Sequence, residues 1–418
     1  MNDLEKIWDV VVIGGGASGM MAAGRAAERG AKVLLLEKNE SLGKKLLITG
    51  GGRCNVTNAE EDVRKFLSKF KDSDKFLFSA FSQFAVKEAL DFFHTRNMET
   101  KVEALGRVFP ASNKAESVWN VLLQYLKNGN VTIKSKCPVV SFEKDGNKIV
   151  SVILKDKRKI MARSFVLSTG GKSRPETGST GDGFKFLSEL GHKVSESKAS
   201  LVPLKSETPW IKRLQGVSLQ DVKVTMFQNG VKQDSKIGKI LFTHFGLSGP
   251  TILNLSSQVS DLLKYGEVNL SFDLLPSFDP GELNLKLQEI FKGESNKKIK
   301  NSLDALIHSA IVPVVLELSG VDPDTQNNSV TRDNRLKLVE TLKNVVVKVS
   351  GLLGLDKAVI TSGGVDLKEV DFKTMSSKLY PNLYLTGDIL DIDRPTGGYG
   401  LQLCWTTGYI AGSNAVTR

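Results

Sequence analysis

Two sets of residues near the start of the chain have the types and spacing of a nucleotide site. The stretch GGGASG places Gly14, Gly16 and Gly19 in a G-x-G-x-x-G pattern between the apolar run WDVVVI and the alanine-rich SGMMAAGRAAERG. After a strand and before a helix, such glycines allow a tight turn and a close approach of backbone to a pyrophosphate. Glu37 ends the next apolar run, AKVLLLEK, at the distance where a carboxylate binds ribose hydroxyls. This segment therefore predicts a βαβ unit that binds the adenosine half of a dinucleotide lacking a 2′-phosphate.

A second pair of motifs near the end of the chain favours FAD over NAD. The run LYLTGD predicts a strand that ends at Asp388, and a glycine-led helix is predicted to begin within Gly397–Gly400. An extended FAD needs a distant anchor for its ribityl chain and ring, and a carboxylate can accept hydrogen bonds from ribityl hydroxyls. Free amides of residues 398–401 at a helix start can stabilise negative charge on the reduced flavin.

The stretch TGGGRCNVTN, residues 49–58, joins three glycines to a cation and a thiol. It could be a simple turn, a phosphate cradle or the floor of a redox site. Cys54 is a candidate redox residue, with Arg53 beside it to lower the thiol pKa. Flavin disulfide reductases use two cysteines, however, and Cys137 and Cys404 lie far away in the sequence. A packing role near the flavin is therefore the favoured interpretation, with Arg53 and Asn55 as polar contacts to the cofactor.

His244, in LFTHFGLSGP, is the other catalytic candidate, because a histidine facing a flavin could donate or accept a proton. The alternative is a histidine bonded within a turn, and no catalytic residue is assigned on the sequence alone. Four scattered histidines and three distant cysteines predict no metal site.

Composition narrows the class of protein. The 418 residues suggest two or three domains, and no apolar run reaches the length of a membrane span, so no membrane partner is expected. The first residues lack the basic region of a signal peptide, which favours a cytoplasmic, bacterial-type enzyme. The net charge of +11 is spread among mixed runs, which argues against nucleic acid as a partner. The sequence gives no indication of oligomeric state.

Changes of periodicity along the chain predict an insertion. After Ser195, short alternating runs and the Asn229-Gly230 hairpin signal indicate antiparallel strands, and residues 280–348 have mostly helical patterns. The predicted fold is α/β. It comprises a discontinuous cofactor domain (1–195 and 350–418), an inserted antiparallel β domain (196–275 and about 340–350) and a helical subdomain (276–340).

Motifs distributed from end to end resemble one family. DVVVIGGGASGMMAA, LGKKLLITGGGRCNVTN, GSTGDGF, FTHFGLSGP and LYLTGDILDIDRPTGGYGLQLCWTTGYIAG are similar to the bacterial YhiN/BaiN-like FAD flavoproteins. That family includes aminoacetone oxidase-like and bile-acid dehydro-reductase-like members. The resemblance implies a glutathione-reductase-type FAD-binding Rossmann domain with an inserted substrate region. The FAD contacts that follow from the motifs and the resemblance are Gly14, Gly16, Ala17, Ser18, Gly19, Glu37, Lys38, Lys45, Thr49, Gly51, Gly52, Arg53, Asn55, Val139, Thr169, Gly170, Gly171, Gly387, Asp388, Gly398, Tyr399, Gly400, Leu401 and Gln402.

We therefore expect an FAD-dependent oxidoreductase that transfers hydride between a small organic substrate, or NAD(P)H, and flavin N5. The segment KKLLITGGG lacks the histidine that links FAD covalently in fumarate reductases, so noncovalent FAD is expected. A second G-x-G-x-x-G in a strand–helix context is absent from the sequence, so NAD(P)H would have no Rossmann domain of its own. Two alternatives stay open. One is an RNA-associated flavoprotein that modifies tRNA, suggested by the basic charge, and the other is a flavin-binding sensor without turnover.

Overall fold

A computed structural model describes residues 7–195, 198–354 and 360–416. In chain order the strands are β1 (Trp8–Ile13), β2 (Val33–Leu36), β3 (Thr57–Asn58), β4 (Thr100–Glu103), β5 (Arg107–Pro110), β6 (Thr132–Lys134), β7 (Val139–Asp145), β8 (Lys148–Leu154), β9 (Lys159–Leu167), β10 (Lys198–Ser200), β11 (Leu204–Lys205), β12 (Ser218–Gln228), β13 (Val231–Thr243), β14 (Gly246–Ser248), β15 (Val268–Asp273), β16 (Val345–Val349), β17 (Gly351–Leu352), β18 (Ile360–Ser362) and β19 (Leu383–Leu385). The helices are α1 (Ala17–Glu28), α2 (Lys44–Leu47), α3 (Val63–Leu67), α4 (Asp74–Phe81), α5 (Val86–His94), α6 (Ala115–Asn128), α7 (Asp182–Glu189), α8 (Pro250–Leu262), α9 (Pro280–Gly293), α10 (Val312–Ser319), α11 (Arg332–Lys343) and α12 (Tyr399–Asn414).

The chain divides into two compact units. The first combines residues 1–199 with 358–418, and the second comprises residues 200–357. Each unit has its own cluster of buried apolar side chains. In the second unit, the strands and the helices contribute to the same cluster. The division of this unit into a β domain and a helical subdomain remains a prediction.

The first unit is built on a mixed sheet in the order β6-β2-β1-β9-β8-β7, with β19 also paired to β9. Strands β6, β2, β1, β9 and β19 run parallel, and the predicted βαβ unit is present as β1, α1 and β2. The four residues of β2 and nearly all of β1 are buried, as expected for parallel strands covered on both faces. The first three residues of β9, 159–161, pair antiparallel with β8, and the residues that follow pair parallel with β1.

A small antiparallel sheet, β3-β5-β4, also belongs to the first unit and was not predicted. Its strands are two to four residues long, too short for a readable alternation of apolar and polar residues. Thr57 pairs with Val108, and Val102 pairs with Val108 from the other side. This sheet places residues 57–58 and 100–110 side by side.

The second unit contains an antiparallel sheet in the order β16-β15-β12-β13-β14-β11-β17. Its central hairpin turns at Asn229 and Gly230, both with positive φ, as the sequence indicated. Helix α8 was not predicted, because its segment was interpreted as part of the β region. None of the helices in the described part of the chain is both long and apolar enough to cross a membrane.

Candidate functional site

The predicted cofactor residues converge on one edge of the parallel sheet. Four neighbouring strands run parallel in the order β2, β1, β9 and β19, so their carboxyl ends meet at this edge. Ligands of open α/β sheets bind outside the carboxyl ends of the strands. The residues that follow these strands are Gly14 to Gly19 after β1, Glu37 and Lys38 after β2, Thr169 to Gly171 after β9, and Gly387 and Asp388 after β19.

The turn between β1 and α1 has the shape that a dinucleotide requires. Gly14 has φ +101°, and a Cβ placed on it would lie 2.5 Å from the carbonyl oxygen of Ser168, so a side chain has no room there. At Gly16, which precedes the first turn of α1, a Cβ would meet no atom within 4 Å. The N-terminus of α1 is therefore open where phosphates bind such helices.

Glu37 is buried at the end of β2 and faces the glycine turn. Its Oε2 accepts a hydrogen bond from Gly15 N at 2.8 Å, and its Oε1 accepts one from Asn39 N at 2.8 Å. Cys137 N donates to the carbonyl of Glu37, which brings the start of β7 at Val139 to the same edge. The structure thus brings together the residues predicted for the adenosine half of FAD.

The triple-glycine stretch forms a tight turn rather than a regular helix. Gly50, Gly51 and Gly52 all have positive φ, and Cβ atoms on Gly51 and Gly52 would face open space. Asn55 Oδ1 is buried and has no hydrogen-bond partner within the described residues. The glycines therefore keep backbone close to an open volume, and Asn55 points a polar atom at a place where the chain supplies no partner.

The side chains of Arg53 and Cys54 in this turn have surroundings that the sequence did not indicate. The Arg53 guanidinium is bonded to Glu103 and Asn113, and its Cζ lies 4.0 Å from the centre of the Phe109 ring. A direct contact of Arg53 with FAD remains a prediction. Cys54 is fully buried, and this burial raises the pKa of its thiol to about 12. A reactive thiolate at neutral pH is therefore disfavoured.

Asp388 lies between two cations at the end of β19. Its Oδ2 accepts a hydrogen bond from Lys45 Nζ at 3.1 Å, and its Oδ1 is paired with Arg394. Lys45 Nζ also donates to Ser173 Oγ at 2.7 Å. Burial alone would raise the pKa of Asp388, but the charges of Arg394 and Lys45 outweigh it and hold that pKa well below its usual range. Asp388 is therefore a carboxylate at every physiological pH.

Arg394 was missed in the sequence, although it follows Asp388 by six residues. Its side chain is only 4% exposed, Nη1 donates to the carbonyl of Ile392, and Nε lies 3.1 Å from where a Cβ of Gly400 would be. A glycine at position 400 thus leaves room for the guanidinium beside the first turn of α12. The signal available in the sequence was an arginine that follows a strand-ending aspartate. The spacing of the two residues does not show whether the arginine side chain turns toward the aspartate.

The first turn of α12 is fixed from outside the helix. Gly398 has φ +102°, and a Cβ there would lie 2.2 Å from the carbonyl of Thr57. Asn58 Nδ2 donates to the carbonyl of Gly397 at 3.1 Å. The Gln402 side chain is buried, with Oε1 accepting from Thr57 Oγ1 and Nε2 donating to the carbonyl of Ala85. These bonds give Gln402 a structural role, and its predicted contact with FAD remains a prediction.

The residues at this edge fit FAD. Two buried oxygens, Asn55 Oδ1 and Thr169 Oγ1, are without hydrogen-bond partners in the described part of the chain, whereas buried polar groups normally have one. The glycines at positions 16, 51 and 52 leave the adjacent volume free of side chains. The polar groups at this edge are the Glu37 carboxylate, the amides at the start of α1 and the charged cluster around Asp388. Such a set suits a dinucleotide with a polar chain between its two halves.

His244, by contrast, belongs to the second unit. It lies in the turn between β13 and β14, its side chain is exposed, and its ring packs against Phe245 at 4.9 Å between centroids. Its proposed exchange of a proton with substrate remains a prediction.

Comparisons with known proteins agree over the length of the chain. A family model described as HI0933-like protein Rossmann domain matches residues 8–414. The chain is 29% identical over 412 residues to the ribosomal RNA dihydrouridine synthase of Escherichia coli, covering 98% of each protein. It is 30% identical over 410 residues to the 3-dehydro-bile acid delta(4,6)-reductase of Clostridium scindens, covering 97% of this chain and 98% of that protein. Among solved structures, the 3-ketosteroid delta1-dehydrogenase of Sterolibacterium denitrificans has a TM-score of 0.56 at 13% identity, covering 98% of this chain and 99% of that one, which is a likeness of fold.

Proposed function

We propose that this protein reduces a carbon–carbon double bond conjugated to a carbonyl group. The chain belongs to the HI0933-like Rossmann-domain family and is an FAD-dependent oxidoreductase. Membership of this family confirms the resemblance in the motifs and the α/β fold class. The observation that carries the proposal is near-equal similarity, over the whole chain, to two relatives named for different substrates. Dihydrouridine forms when the ring double bond of uridine, which is conjugated to a carbonyl group, is reduced to a single bond. A delta(4,6)-reductase of a 3-dehydro-bile acid acts on double bonds in conjugation with a ketone. One chemistry accounts for both names.

We propose uridine in RNA as the first substrate to test. The second unit carries 19 Lys and Arg against 17 Asp and Glu, so nine of the eleven net positive charges belong to the unit with the cofactor site. A positive excess near a site favours a polyanionic substrate. The sequence shows only the total charge of the chain. The division into two units shows that most of the positive excess belongs to the first unit.

A conjugated dienone of steroid type is the second candidate. The observation in its favour is the 30% identity to the Clostridium scindens protein. Such a substrate is mostly apolar and would not need the positive excess of the first unit.

Bound FAD would supply two-electron chemistry: a donor such as NAD(P)H would provide the electrons, one carbon of the double bond would receive a hydride and the other a proton. The chain's own residues bind and orient. Glu37 and the N-terminus of α1 would hold the adenosine ribose and the phosphates. Asp388 would accept hydrogen bonds from the ribityl chain, and Lys45 and Arg394 keep it ionised for that task. The amides at the start of α12 would face developing negative charge.

The test offers both substrates to the same enzyme. FAD-loaded protein with NADH or NADPH is incubated anaerobically with unmodified ribosomal RNA transcribed in vitro, and dihydrouridine is measured by mass spectrometry after digestion. A parallel reaction contains a 3-keto-4,6-diene steroid, whose loss of absorbance reports reduction, and FAD-free protein is the control. Dihydrouridine in the RNA supports the first substrate. Reduction of the steroid alone favours the second, and reduction of neither with both nicotinamides would refute the proposed reaction.

A further inference from the structure

One face of the small sheet β3-β5-β4 gathers cations beside the cofactor site. In the register of β4 and β5, Lys101 lies opposite Phe109 and Glu103 lies opposite Arg107. Side chains two residues apart on a strand point to the same side, so these four share one face. Arg53 adds a third cation, because its guanidinium covers the Phe109 ring. We refer to Arg53, Lys101 and Arg107, with Phe109 at their centre, as the cationic face.

The charges of this face do not cancel. Arg53 and Lys101 both approach the carboxylate of Glu103, Lys101 with its Nζ 3.6 Å from Oε1. The Cζ of Arg107 is 5.9 Å from the Phe109 ring centre, and its Nε donates to the carbonyl of Ala104 at 3.0 Å. Three cations therefore share one carboxylate on the described residues of this face. Its aromatic centre also holds the guanidinium groups in place, which reduces the entropy lost when they bind a ligand.

Two contacts connect the cationic face to the cofactor site. A Cβ on Gly50 would lie 3.4 Å from Phe109 Cε1, so the ring packs beside the triple-glycine turn. Asn58 Nδ2 donates both to the carbonyl of Leu105 at 2.9 Å and to that of Gly397 at 3.1 Å. One amide group therefore ties the turn of the small sheet to the residues that begin α12.

The turn at residues 104–106 has the features of a ligand-binding rim. Leu105 is 72% exposed and adopts φ +62°, a left-handed conformation that is unfavourable for a branched apolar residue. Strained backbone with exposed apolar side chains is found at sites where a ligand is held.

We propose that the cationic face binds the phosphodiester backbone of the RNA strand next to the uridine that is reduced, an inference that rests on the proposed function. Guanidinium groups bind phosphate in a bidentate manner and stack on unpaired bases. Leu105 offers apolar surface to a base adjacent to the target. The charge excess, the aromatic support and the link to the start of α12 together place an RNA-binding edge beside the flavin site.

The test compares the binding of a fluorescently labelled 12-nucleotide oligouridylate to FAD-loaded proteins by anisotropy. Arg107→Gln and Lys101→Gln are each expected to weaken binding about tenfold, the worth of one hydrogen-bonded charge. The double variant should also lower the slope of log affinity against log salt by about 1.4, because each lost contact with single-stranded phosphate removes about 0.7. Arg107→Lys, which keeps the charge, should recover much of the loss.

The matched control is the double variant Lys148→Gln and Lys155→Gln, which removes the same charge from exposed positions on β8 and the turn after it. It should bind the oligouridylate as wild type does, and flavin content measured by absorbance verifies the folding of every variant. Equal losses from the control and the test pair would overturn the proposal, because binding would then follow net charge alone.

The same proteins distinguish failure of this surface from failure of the proposed function. If wild type forms dihydrouridine in RNA while the Arg107 and Lys101 variants bind like the control, the cationic face is not the RNA-binding edge and the proposed function stands. If wild type neither binds the oligouridylate nor modifies RNA, both proposals fail.

Discussion

Replacing Asp388 by asparagine tests whether the buried ion cluster at the end of β19 supports the cofactor unit. The Asp388 side chain is 12% exposed, and its partners Arg394 and Lys45 are 4% and 26% exposed. Asp388→Asn preserves size but removes the negative charge, so two partly or fully buried cations would face each other without a carboxylate. Breaking a buried pair from one side costs about 3–5 kcal/mol.

We expect the lower end of that range, about 3 kcal/mol, because an amide oxygen still accepts one hydrogen bond. For a unit of this size each kcal/mol lowers the melting temperature by about 2–4 °C, so the expected decrease is roughly 6–12 °C. The measurement is thermal unfolding by circular dichroism, with and without FAD. A bound cofactor adds its own stabilisation to wild type, so the difference should widen in the presence of FAD.

The control is Asp156→Asn, which removes the same charge from an exposed pair with Arg158 and should leave the melting temperature unchanged. The dependence on pH gives a second check. Because the pKa of Asp388 is lowered in the folded protein, its contribution is complete above the unfolded value of about 3.9 and is lost only as pH falls below it. A melting temperature for Asp388→Asn within about 1 °C of wild type at pH 7 would refute the reasoning about this cluster.

Four further changes test individual residues. Glu37→Gln should weaken FAD binding at least about tenfold in a fluorescence titration, since a charged acceptor is lost, and unchanged affinity would contradict its role. Gly51→Ala should impair FAD binding, whereas Gly216→Ala, with a similar positive φ and similarly open surroundings, should not; equal effects would show that strain alone is responsible. Cys54→Ala should keep the rate of flavin reduction within about twofold, because a thiol whose pKa is raised to about 12 is not a thiolate, and a hundredfold loss in stopped-flow assays would restore a redox role. His244→Asn should keep kcat within about twofold, and a hundredfold decrease, the usual size of general acid catalysis, would instead make this histidine the proton donor.

The cofactor edge could be predicted because its determinants are local in sequence. Gly14 and Gly19 report close packing of a strand and a helix, and Glu37 follows its strand at the expected distance. The late TGD motif was interpreted as a distant anchor of the same cofactor, and the structure places Asp388 at the same edge because β19 pairs with β9. Each motif could be recognised because its residues lie close together in the sequence.

Arg394 and the small sheet could not be predicted for the opposite reason. The pairing of Thr57 with Val108 joins residues about fifty positions apart through strands only two to four residues long. Arg394 is buried because Gly400 leaves room for it and Asp388 neutralises it, which requires three segments to be positioned first. A charged residue in a glycine-rich loop reads as exposed unless its partner is known.

The charge of the chain shows how the same limitation affects function. A net charge of +11 spread along the sequence indicates no partner, because the sequence does not say which charges share a surface. Once the small sheet is formed, Arg53, Lys101 and Arg107 lie on one face. The guanidinium groups of Arg53 and Arg107 lie over the Phe109 ring, and Lys101 and Arg53 both approach Glu103. The interpretation of the charge then depends on where this face lies, and Asn58 holds it next to Gly397 at the start of α12. Our proposal of a substrate with repeated negative charge therefore rests on the position of three cations, which the total charge does not specify.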